Sequence, residues 1–187
     1  MFSNLLSKLT TPNKRKIQIC MLGIWSCGKT TLLYKMVGLD GGGQTIPTIG
    51  FNVESVDCES HTLEFWDIGG GCAIPPLWKH YITPSENLNT NCIIFMIDSQ
   101  NTDRQYLQES FRNLKDNVLQ VANVKLLILL SKYDFDSHDG TVNQWEITDI
   151  LNECKLVDPS YEWVIKKCNA RNGKGVEEIL DWIVENC

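Results

Sequence analysis

The residues best suited to chemistry form a glycine-rich segment directly after the first apolar run of the chain. Residues 23–30 read Gly-Ile-Trp-Ser-Cys-Gly-Lys-Thr and satisfy the pattern G-x-x-x-x-G-K-[ST]. In this pattern the backbone N–H groups curl around phosphate groups, and the following helix adds the positive end of its dipole. Lys29 can then reach the β- and γ-phosphates, and Thr30 can place its hydroxyl on Mg²⁺. The predicted phosphate contacts are Gly23, Trp25, Ser26, Cys27, Gly28, Lys29, Thr30 and Thr31.

A second polar segment follows a later apolar run and suits a guanine base. Residues 131–134 read Ser-Lys-Tyr-Asp, and the Asp134 carboxylate can accept two hydrogen bonds from guanine N1 and N2, which adenine does not offer as a pair. Lys132 can lay its aliphatic stem over the base. Taken alone, Lys-x-Asp also fits a solvated loop, but its place after a phosphate loop favours the guanine interpretation. Asn169, Ala170 and Arg171 follow the last predicted strand and could contact the guanine O6, although the same residues fit an ordinary turn.

Strands and helices alternate along the chain in a way that would bring these loops together. Apolar runs at residues 16–22, 92–97 and 125–130 predict buried parallel strands, and residues 51–56 and 62–66 predict a two-stranded ribbon. Helical patterns cover residues 29–37, 105–119, 144–151 and 176–184. We therefore predict an α/β fold, with a mostly parallel central sheet flanked by helices on both faces. Ligands of such sheets bind at the carboxyl ends of the strands, where both polar segments lie.

Composition narrows the class of protein. The 187 residues suit one domain, and the net charge of −6 argues against a general nucleic-acid binder, because phosphate backbones are held mainly by Lys and Arg. Eight cysteines, with no signal peptide and no Cys-x-x-Cys pair, predict reduced thiols in the cytosol. No apolar run reaches the roughly 18 residues of a membrane span. Cys187 is not four residues from the end, so we expect an exposed thiol without a prenyl group.

Further segments resemble the Arf and Arf-like family of small GTPases from about residue 16 to the end. Residues 45–54 (TIPTIGFNVE) match the family's first switch, residues 66–70 (WDIGG) its second switch, residues 76–81 (PLWKHY) the continuation, and residues 180–183 (LDWI) the last helix. The resemblance implies the small-GTPase form of the P-loop fold, with GTP or GDP and Mg²⁺ as ligands. It also implies a switch in vesicle traffic that works with effectors, an exchange factor and an activating protein.

The resemblance assigns roles to individual residues. Thr48 would be a second Mg²⁺ ligand, Asp67 would hold the metal through water, and the Gly70 N–H would sense the γ-phosphate. The effector-binding residues would be Ile49, Phe51, Trp66, Trp78 and Tyr81. The sequence by itself would make Phe51, Trp66 and Tyr81 core residues.

Three positions depart from the family pattern. Gly71 stands where relatives carry the Gln that orients the attacking water, and Trp25 stands beside the γ-phosphate where relatives carry a small residue or Asp. Both changes predict slow GTP hydrolysis. The alternatives are a nucleotide-locked interaction protein without catalysis, or a water contact from another side chain, such as His80 or His61. Ser131 replaces the usual Asn, and its shorter side chain predicts a weaker tie to the phosphate loop and base.

The first fifteen residues predict a separate amphipathic segment with a basic linker, ahead of a GTPase domain over residues 16–187. Phe2, Leu5, Leu6 and Leu9 fall on one helical face, and Lys14 and Arg15 follow. Such a helix fits peripheral binding to an endomembrane such as the Golgi from the cytoplasm, and it fits equally a helix packed on the domain. Phe at position 2 excludes myristoylation there.

Overall fold

The computed structural model describes residues 14–39, 45–58, 60–84, 89–119, 124–136, 142–154 and 163–187. Within them six strands form one sheet in the order β2-β3-β1-β4-β5-β6. The strands are β1 (Arg15–Leu22), β2 (Phe51–Asp57), β3 (His61–Ile68), β4 (Thr90–Asp98), β5 (Lys125–Ser131) and β6 (Trp163–Lys167). Only the β2–β3 pair is antiparallel among these strand pairings, and the other four are parallel. This confirms the predicted α/β fold and its ribbon.

The helices begin where local capping favours them. Asp103 accepts a hydrogen bond from the Gln105 N–H at the start of the helix Arg104–Leu114, and Asn143 forms a reciprocal capping box with Glu146 at the start of the helix Gln144–Glu153. The helices are α1 (Lys29–Met36), α2 (Trp78–Ile82), α3 (Arg104–Leu114), α4 (Gln144–Glu153) and α5 (Val176–Asn186). A short 3₁₀ turn (Pro75–Leu77) precedes α2, and a π-helical turn (Lys115–Leu119) extends α3.

Helices cover both faces of the sheet because its central strands are apolar on both sides. In β1, Ile19 and Met21 face the core beneath α1 and α5, whereas Cys20 and Leu22 face the core beneath α2, α3 and α4. Burying both faces of the central strands leaves their carboxyl ends as the place where loops can gather around a ligand.

Several predicted boundaries differ from the structure. The helix predicted at residues 105–119 ends its α-helical part at Leu114, where side-chain bonds from Asn113 to the Glu109 carbonyl and from Asn117 to the Asn113 carbonyl accompany the π turn. The short helix α2 was not predicted, since five residues carry too little periodicity.

The basic segment before the domain is also shorter than predicted. Arg15 is the first residue of β1 and not part of a linker, and its guanidinium donates to the Cys187 carbonyl at 2.5 Å. Lys14 lies 3.8 Å from the Asp57 carboxylate. Residues 1–13, and with them the predicted amphipathic helix, lie outside the described residues. No helix in the described part of the chain is long and apolar enough to span a membrane.

Candidate nucleotide-binding site

The loop between β1 and α1 has the backbone that the phosphate-binding pattern requires. Gly23 has φ of 146°, and a β-carbon there would lie 2.4 Å from the Met96 carbonyl oxygen of β4, so only glycine fits. Gly28 has φ of 89° and caps α1. The chain therefore turns sharply at the end of β1 and enters α1 with its first N–H groups facing the loop.

Lys29 is folded into this loop and is only 7% exposed. Its ammonium donates to the Gly23 carbonyl at 2.7 Å and to the Ile24 carbonyl at 3.3 Å, and it lies 3.6 Å from the Cys27 sulfur. Within the described residues the hydrogen-bond acceptors of this ammonium are all neutral, and an anion beside it would compensate its lost hydration. The ammonium therefore lies inside the loop that the sequence predicts to bind phosphate.

Three oxygen-bearing side chains from separate segments meet beside the phosphate loop. The Thr30 hydroxyl donates to Asp67 Oδ2 at 2.5 Å, the Thr48 hydroxyl lies 3.3 Å from the same oxygen, and the two hydroxyl oxygens are 3.0 Å apart. Asp67 is fully buried, and within the described residues its Oδ1 has no hydrogen-bond partner. Burial raises the pKa of Asp67, against the lowering effect of the Thr30 hydrogen bond and of Lys29.

This oxygen cluster fits Mg²⁺. The ion prefers hard oxygen ligands and keeps several waters, so two hydroxyls and one carboxylate leave coordination positions for water and phosphate. The orphaned Asp67 Oδ1 is the polar atom that such hydration would satisfy. Thr30, Thr48 and Asp67 are the residues that the sequence proposes as metal ligands.

Gly70, the last residue of the second switch, and Gly71, which follows it, have opposite steric surroundings. A β-carbon on Gly70 would lie 2.3 Å from the Gly23 carbonyl oxygen and 2.8 Å from Lys29 Nζ, so the backbone of residue 70 packs directly on the phosphate loop. A β-carbon on Gly71 would meet only the Ile74 side chain, at an ordinary 3.8 Å. The missing side chain at residue 71 is therefore a property of the sequence and not a steric requirement of the fold.

Trp25 extends from the phosphate loop into solvent with 62% of its surface exposed. The carbonyl carbon of Ile24, to which the Trp25 nitrogen is bonded, would lie 2.6 Å from a β-carbon on Gly70. Ile24 and Gly70 are therefore in backbone contact, and Trp25 and Gly71 are the next residues along the two segments. This contact brings their backbones to the same edge of the loop.

Ser131 ties the base-reading loop to the phosphate loop. Its buried hydroxyl lies 2.6 Å from the Cys27 carbonyl and 2.9 Å from the Ile97 carbonyl. The shorter serine side chain reaches the backbone of the phosphate loop because β5 ends close to Cys27. That this tie is weaker than the one made by the usual asparagine stays a prediction.

The other base-loop residues are held by neighbouring carboxylates and amides. Lys132 has φ of 55° and its ammonium pairs with Asp98 at 2.6 Å. The Asp134 Oδ1 accepts from the Asp136 N–H at 2.9 Å. Asn169 donates to the Tyr133 carbonyl at 3.2 Å, so the loop after β6 meets the loop after β5 as the sequence predicts.

Asn169 also orders the loop after β6. Its Oδ1 accepts from the Arg171 N–H at 3.1 Å, which closes a turn around Ala170. These three residues therefore form a turn, and that turn lies beside the loop after β5. Its contact with the guanine O6 stays a prediction.

The predicted partner surface forms an aromatic cluster on one side of the sheet. Phe51 stacks on Trp66 with 5.3 Å between ring centroids, and Tyr81 lies 5.6 Å from Phe51. Ile49, immediately before the cluster, is 98% exposed. The prediction that Trp78 belongs to this surface is wrong. Trp78 is fully buried, contacts Phe95 edge-on and donates to the Gly69 carbonyl at 3.3 Å. It is therefore a core residue and offers no surface to a partner.

Glu64 is a residue of this surface that sequence reasoning missed. Its Oε1 accepts from the Trp66 indole N–H at 2.7 Å, and its Oε2 pairs with Lys16 at 2.7 Å. The carboxylate therefore fixes the indole plane against Phe51. The available signal was the i, i+2 spacing of Glu64 and Trp66, which puts both on one face of a strand.

A glycine-rich loop, a buried lysine and a hydroxyl–carboxylate cluster at the end of a parallel sheet define a P-loop nucleotide-binding domain. A model of the ADP-ribosylation factor (Arf) family matches residues 2–187. The chain is 35% identical to ADP-ribosylation factor J of Dictyostelium discoideum over 188 aligned residues, covering 99% of this chain and 92% of that protein. The chain therefore belongs to the Arf family of small GTPases, whose members bind GTP and GDP and hydrolyse GTP.

A solved structure supports the same fold. The Arl6 BBS3 small GTPase of Trypanosoma brucei, with the bound nucleotide analogue GppNp, superposes with a TM-score of 0.68 at 24% sequence identity. The match covers 91% of this chain and 96% of that one.

We predict that Asp134 sets base preference. The Asp134→Asn variant replaces one hydrogen-bond acceptor with a donor, and this pair of groups matches xanthine better than guanine. Competition assays should therefore show a relative gain of about tenfold, or ~1.4 kcal/mol, for xanthine over guanine nucleotides. The control is Asp136→Asn, which removes a nearby exposed carboxylate that pairs with Lys174. Equal binding of ATP and GTP by the unmodified protein would contradict the assignment.

We also predict that nucleotide retention depends on Mg²⁺. EDTA should accelerate nucleotide release, and Thr30→Asn should weaken triphosphate binding by about tenfold, because the variant replaces a metal-ligand hydroxyl. Thr102→Ala, which removes an exposed hydroxyl outside the phosphate loop and both switches, is the control and should leave release unchanged. Release rates of a fluorescent nucleotide measure both effects. Insensitivity of the unmodified protein to EDTA would rule out the metal site.

Proposed function

We propose that the protein is an Arf-type switch that presents the Phe51–Trp66–Tyr81 surface to effectors when it binds GTP and Mg²⁺. The observation that carries this proposal is the short path from the metal cluster to the surface. Thr48 belongs to the metal cluster, and Phe51 begins β2 three residues later. The Gly69 N–H donates to the Gly50 carbonyl at 2.9 Å, which joins the two switch segments between the two sites.

The path implies a mechanism for coupling nucleotide to partner. A γ-phosphate and its metal would draw Thr48 and the Gly70 N–H towards the phosphate loop, and β2 and β3 would follow because they are hydrogen-bonded to each other from Phe51 to Asp57. Differential binding of GTP and GDP to two positions of this ribbon would then shift the population that effectors recognise. An exchange factor and an activating protein would act on the same segments. The family supports a place in vesicle traffic.

Slow hydrolysis is the second part of the proposal. Family chemistry needs a side chain to orient the attacking water, and Gly71 has none. Trp25 places an exposed indole at the edge of the loop, where it would obstruct a partner's arginine. The buried Lys29 and the oxygen cluster are intact, so binding of a triphosphate is supported while its turnover is not.

Gly71 and Trp25 also favour a second candidate function, that of a nucleotide-locked interaction protein with negligible catalysis. It would share the fold, the nucleotide and the partner surface, and it would differ only in the rate of hydrolysis. His80 and His61 remain the side chains that could replace the glutamine. His61 is at the far end of β3 from Gly71, hydrogen-bonded to Ser60, which leaves His80 of α2 as the nearer candidate in the chain.

Single-turnover GTP hydrolysis tests the catalytic part. Unassisted small GTPases hydrolyse at about 3–5 × 10⁻⁴ s⁻¹, and we expect this protein to fall at least about tenfold lower, equivalent to ~1.4 kcal/mol of transition-state stabilisation. Gly71→Gln should recover part of the rate, since residue 71 has room for a side chain, and Gly71→Gln with Trp25→Asp should recover more.

The matched control is Gly71→Leu, which has a side chain of similar bulk without the amide. A gain with Gln but not with Leu would identify water orientation as the missing function. A wild-type rate within the ordinary range, with no gain from Gly71→Gln, would mean that another group orients the water. No detectable turnover even in the double variant would favour the nucleotide-locked protein.

Peripheral membrane binding through residues 1–13 is a further proposal, supported by the apolar positions of that segment. Deleting residues 1–13 should abolish sedimentation with anionic phospholipid vesicles. Leu5→Glu is the matched point variant, because one buried charge on the apolar face should have the same effect without changing chain length. Undiminished binding by both variants would place the membrane contact elsewhere.

A further inference from the structure

Tyr133, the residue between Lys132 and Asp134 in the base-reading loop, is held by the segment that ends β6. Its backbone N–H donates to the Cys168 carbonyl at 2.9 Å, and its own carbonyl accepts from the Asn169 side chain at 3.2 Å. The residue is only 5% exposed and belongs to the apolar core. The variable position of Lys-x-Asp is therefore occupied here by a residue that is fixed to the rest of the fold.

The Tyr133 side chain has a cation as a partner. Lys167, the last residue of β6, donates through its ammonium to the Tyr133 hydroxyl at 3.0 Å, and the same nitrogen lies 4.3 Å from the centre of the ring. Both the hydrogen bond from an ammonium and its attraction to an aromatic ring depend on the positive charge. A neutral side chain of the same length at residue 167 would keep neither interaction.

The residue after Asp134 is anchored to the same cluster. Phe135 meets the Tyr133 ring edge-on with 5.1 Å between centroids, and the Lys174 ammonium lies 5.9 Å from the centre of the Phe135 ring. Asp134 thus lies between two residues whose side chains pack against each other. Because both neighbours are held, the backbone that carries the Asp134 carboxylate has little freedom to turn.

The direction of the Asp134 carboxylate matters for reading a base. Its Oδ1 already accepts from the Asp136 N–H at 2.9 Å, which limits rotation of the carboxylate within the loop. Hydrogen bonds weaken steeply as their angles become less linear, so a carboxylate that must meet two donors of guanine at once tolerates little misalignment. Its orientation would therefore affect how well the site separates guanine from a base that lacks one of those donors.

We propose that Lys167 is a positioning residue for base recognition: through Tyr133 it fixes the direction of the Asp134 carboxylate and so raises the preference for a base with the exocyclic amine of guanine. This inference rests on the assignment of Asp134 to the base. Lys167 acts through Tyr133 and not through a contact with the nucleotide. A residue of β6, outside the Lys-x-Asp motif, would thus contribute to the choice of base.

The test compares the affinity of the full chain for GDP and for inosine diphosphate, whose base lacks the exocyclic amine. The ratio of the two dissociation constants reports the bond between Asp134 and this amine, and we expect the unmodified protein to favour GDP by about tenfold or more. Lys167→Met keeps a long apolar side chain without the charge and should lower this preference by about threefold or more. Lys167→Arg, which retains a cation beside the ring, should restore most of the preference.

Lys166→Met is the matched control. Lys166 precedes Lys167 in β6, and side chains alternate between the two faces of a strand, so its loss should leave the preference for GDP unchanged. Tyr133→Phe removes only the hydroxyl that accepts from Lys167 and should lower the preference in the same direction. This second variant decides the question if Lys167→Met does not fold.

Two outcomes would overturn the proposal in distinguishable ways. Equal binding of GDP and inosine diphosphate by the unmodified protein would mean that Asp134 does not read the amine, so the assignment on which the inference rests would be wrong. If the unmodified protein favours GDP but the ratio survives in Lys167→Met, or in Tyr133→Phe where the former does not fold, the base assignment stands and only the positioning role is lost. A merely structural role for Lys167 would give this second result, because it would weaken the binding of both nucleotides by the same factor.

Discussion

The buried carboxylate of Asp67 joins three segments that would otherwise be independent. It lies at the end of β3 and receives the hydroxyl of Thr30 from α1 and that of Thr48 from the segment before β2. Removing a carboxylate from water is costly unless hydrogen bonds and positive charge compensate it. The two hydroxyls satisfy one oxygen, and a hydrated cation would serve the other. The phosphate loop and the first switch therefore have a shared electrostatic reason to be close.

Glycine backbones make that closeness possible. Gly70 touches the phosphate loop with no room for a β-carbon, and Gly69 would place one 2.7 Å from the Thr48 carbonyl. Side chains at either residue would push the two switches away from the nucleotide site. The aromatic cluster lies just outside this contact, where Glu64 holds Trp66 flat against Phe51. In the proposed switch, tight packing at the glycines would pass a movement of the phosphate-contacting segments on to the aromatic surface.

The sequence was sufficient for the parts that depend on local pattern. The phosphate loop between β1 and α1 follows from residue types and spacing, and the mostly parallel sheet from the alternation of apolar runs and helical periods. Trp78 shows the limit of prediction from sequence, because the motif around it does not indicate which side of α2 faces the core. Ser131 shows a second limit, because whether its side chain reaches the phosphate loop depends on how close β5 comes to Cys27. The spacing of Glu64 and Trp66 is visible in the sequence, but the ion pair of Glu64 with Lys16 depends on the pairing of β1 with β3.

The base-reading loop is braced from outside the nucleotide site. Lys167 lies 4.3 Å from the centre of the Tyr133 ring and donates to its hydroxyl at 3.0 Å, while Tyr133 meets Phe135 edge-on at 5.1 Å. Such cation–π and aromatic contacts belong to the protein alone, so the loop does not need the base to order it. The entropy of ordering these residues is lost during folding, so under the proposed assignment the base would enter a loop that is already ordered. Exchange of one nucleotide for another would then be limited by breaking the contacts to phosphate and metal and not by rebuilding the pocket for the base.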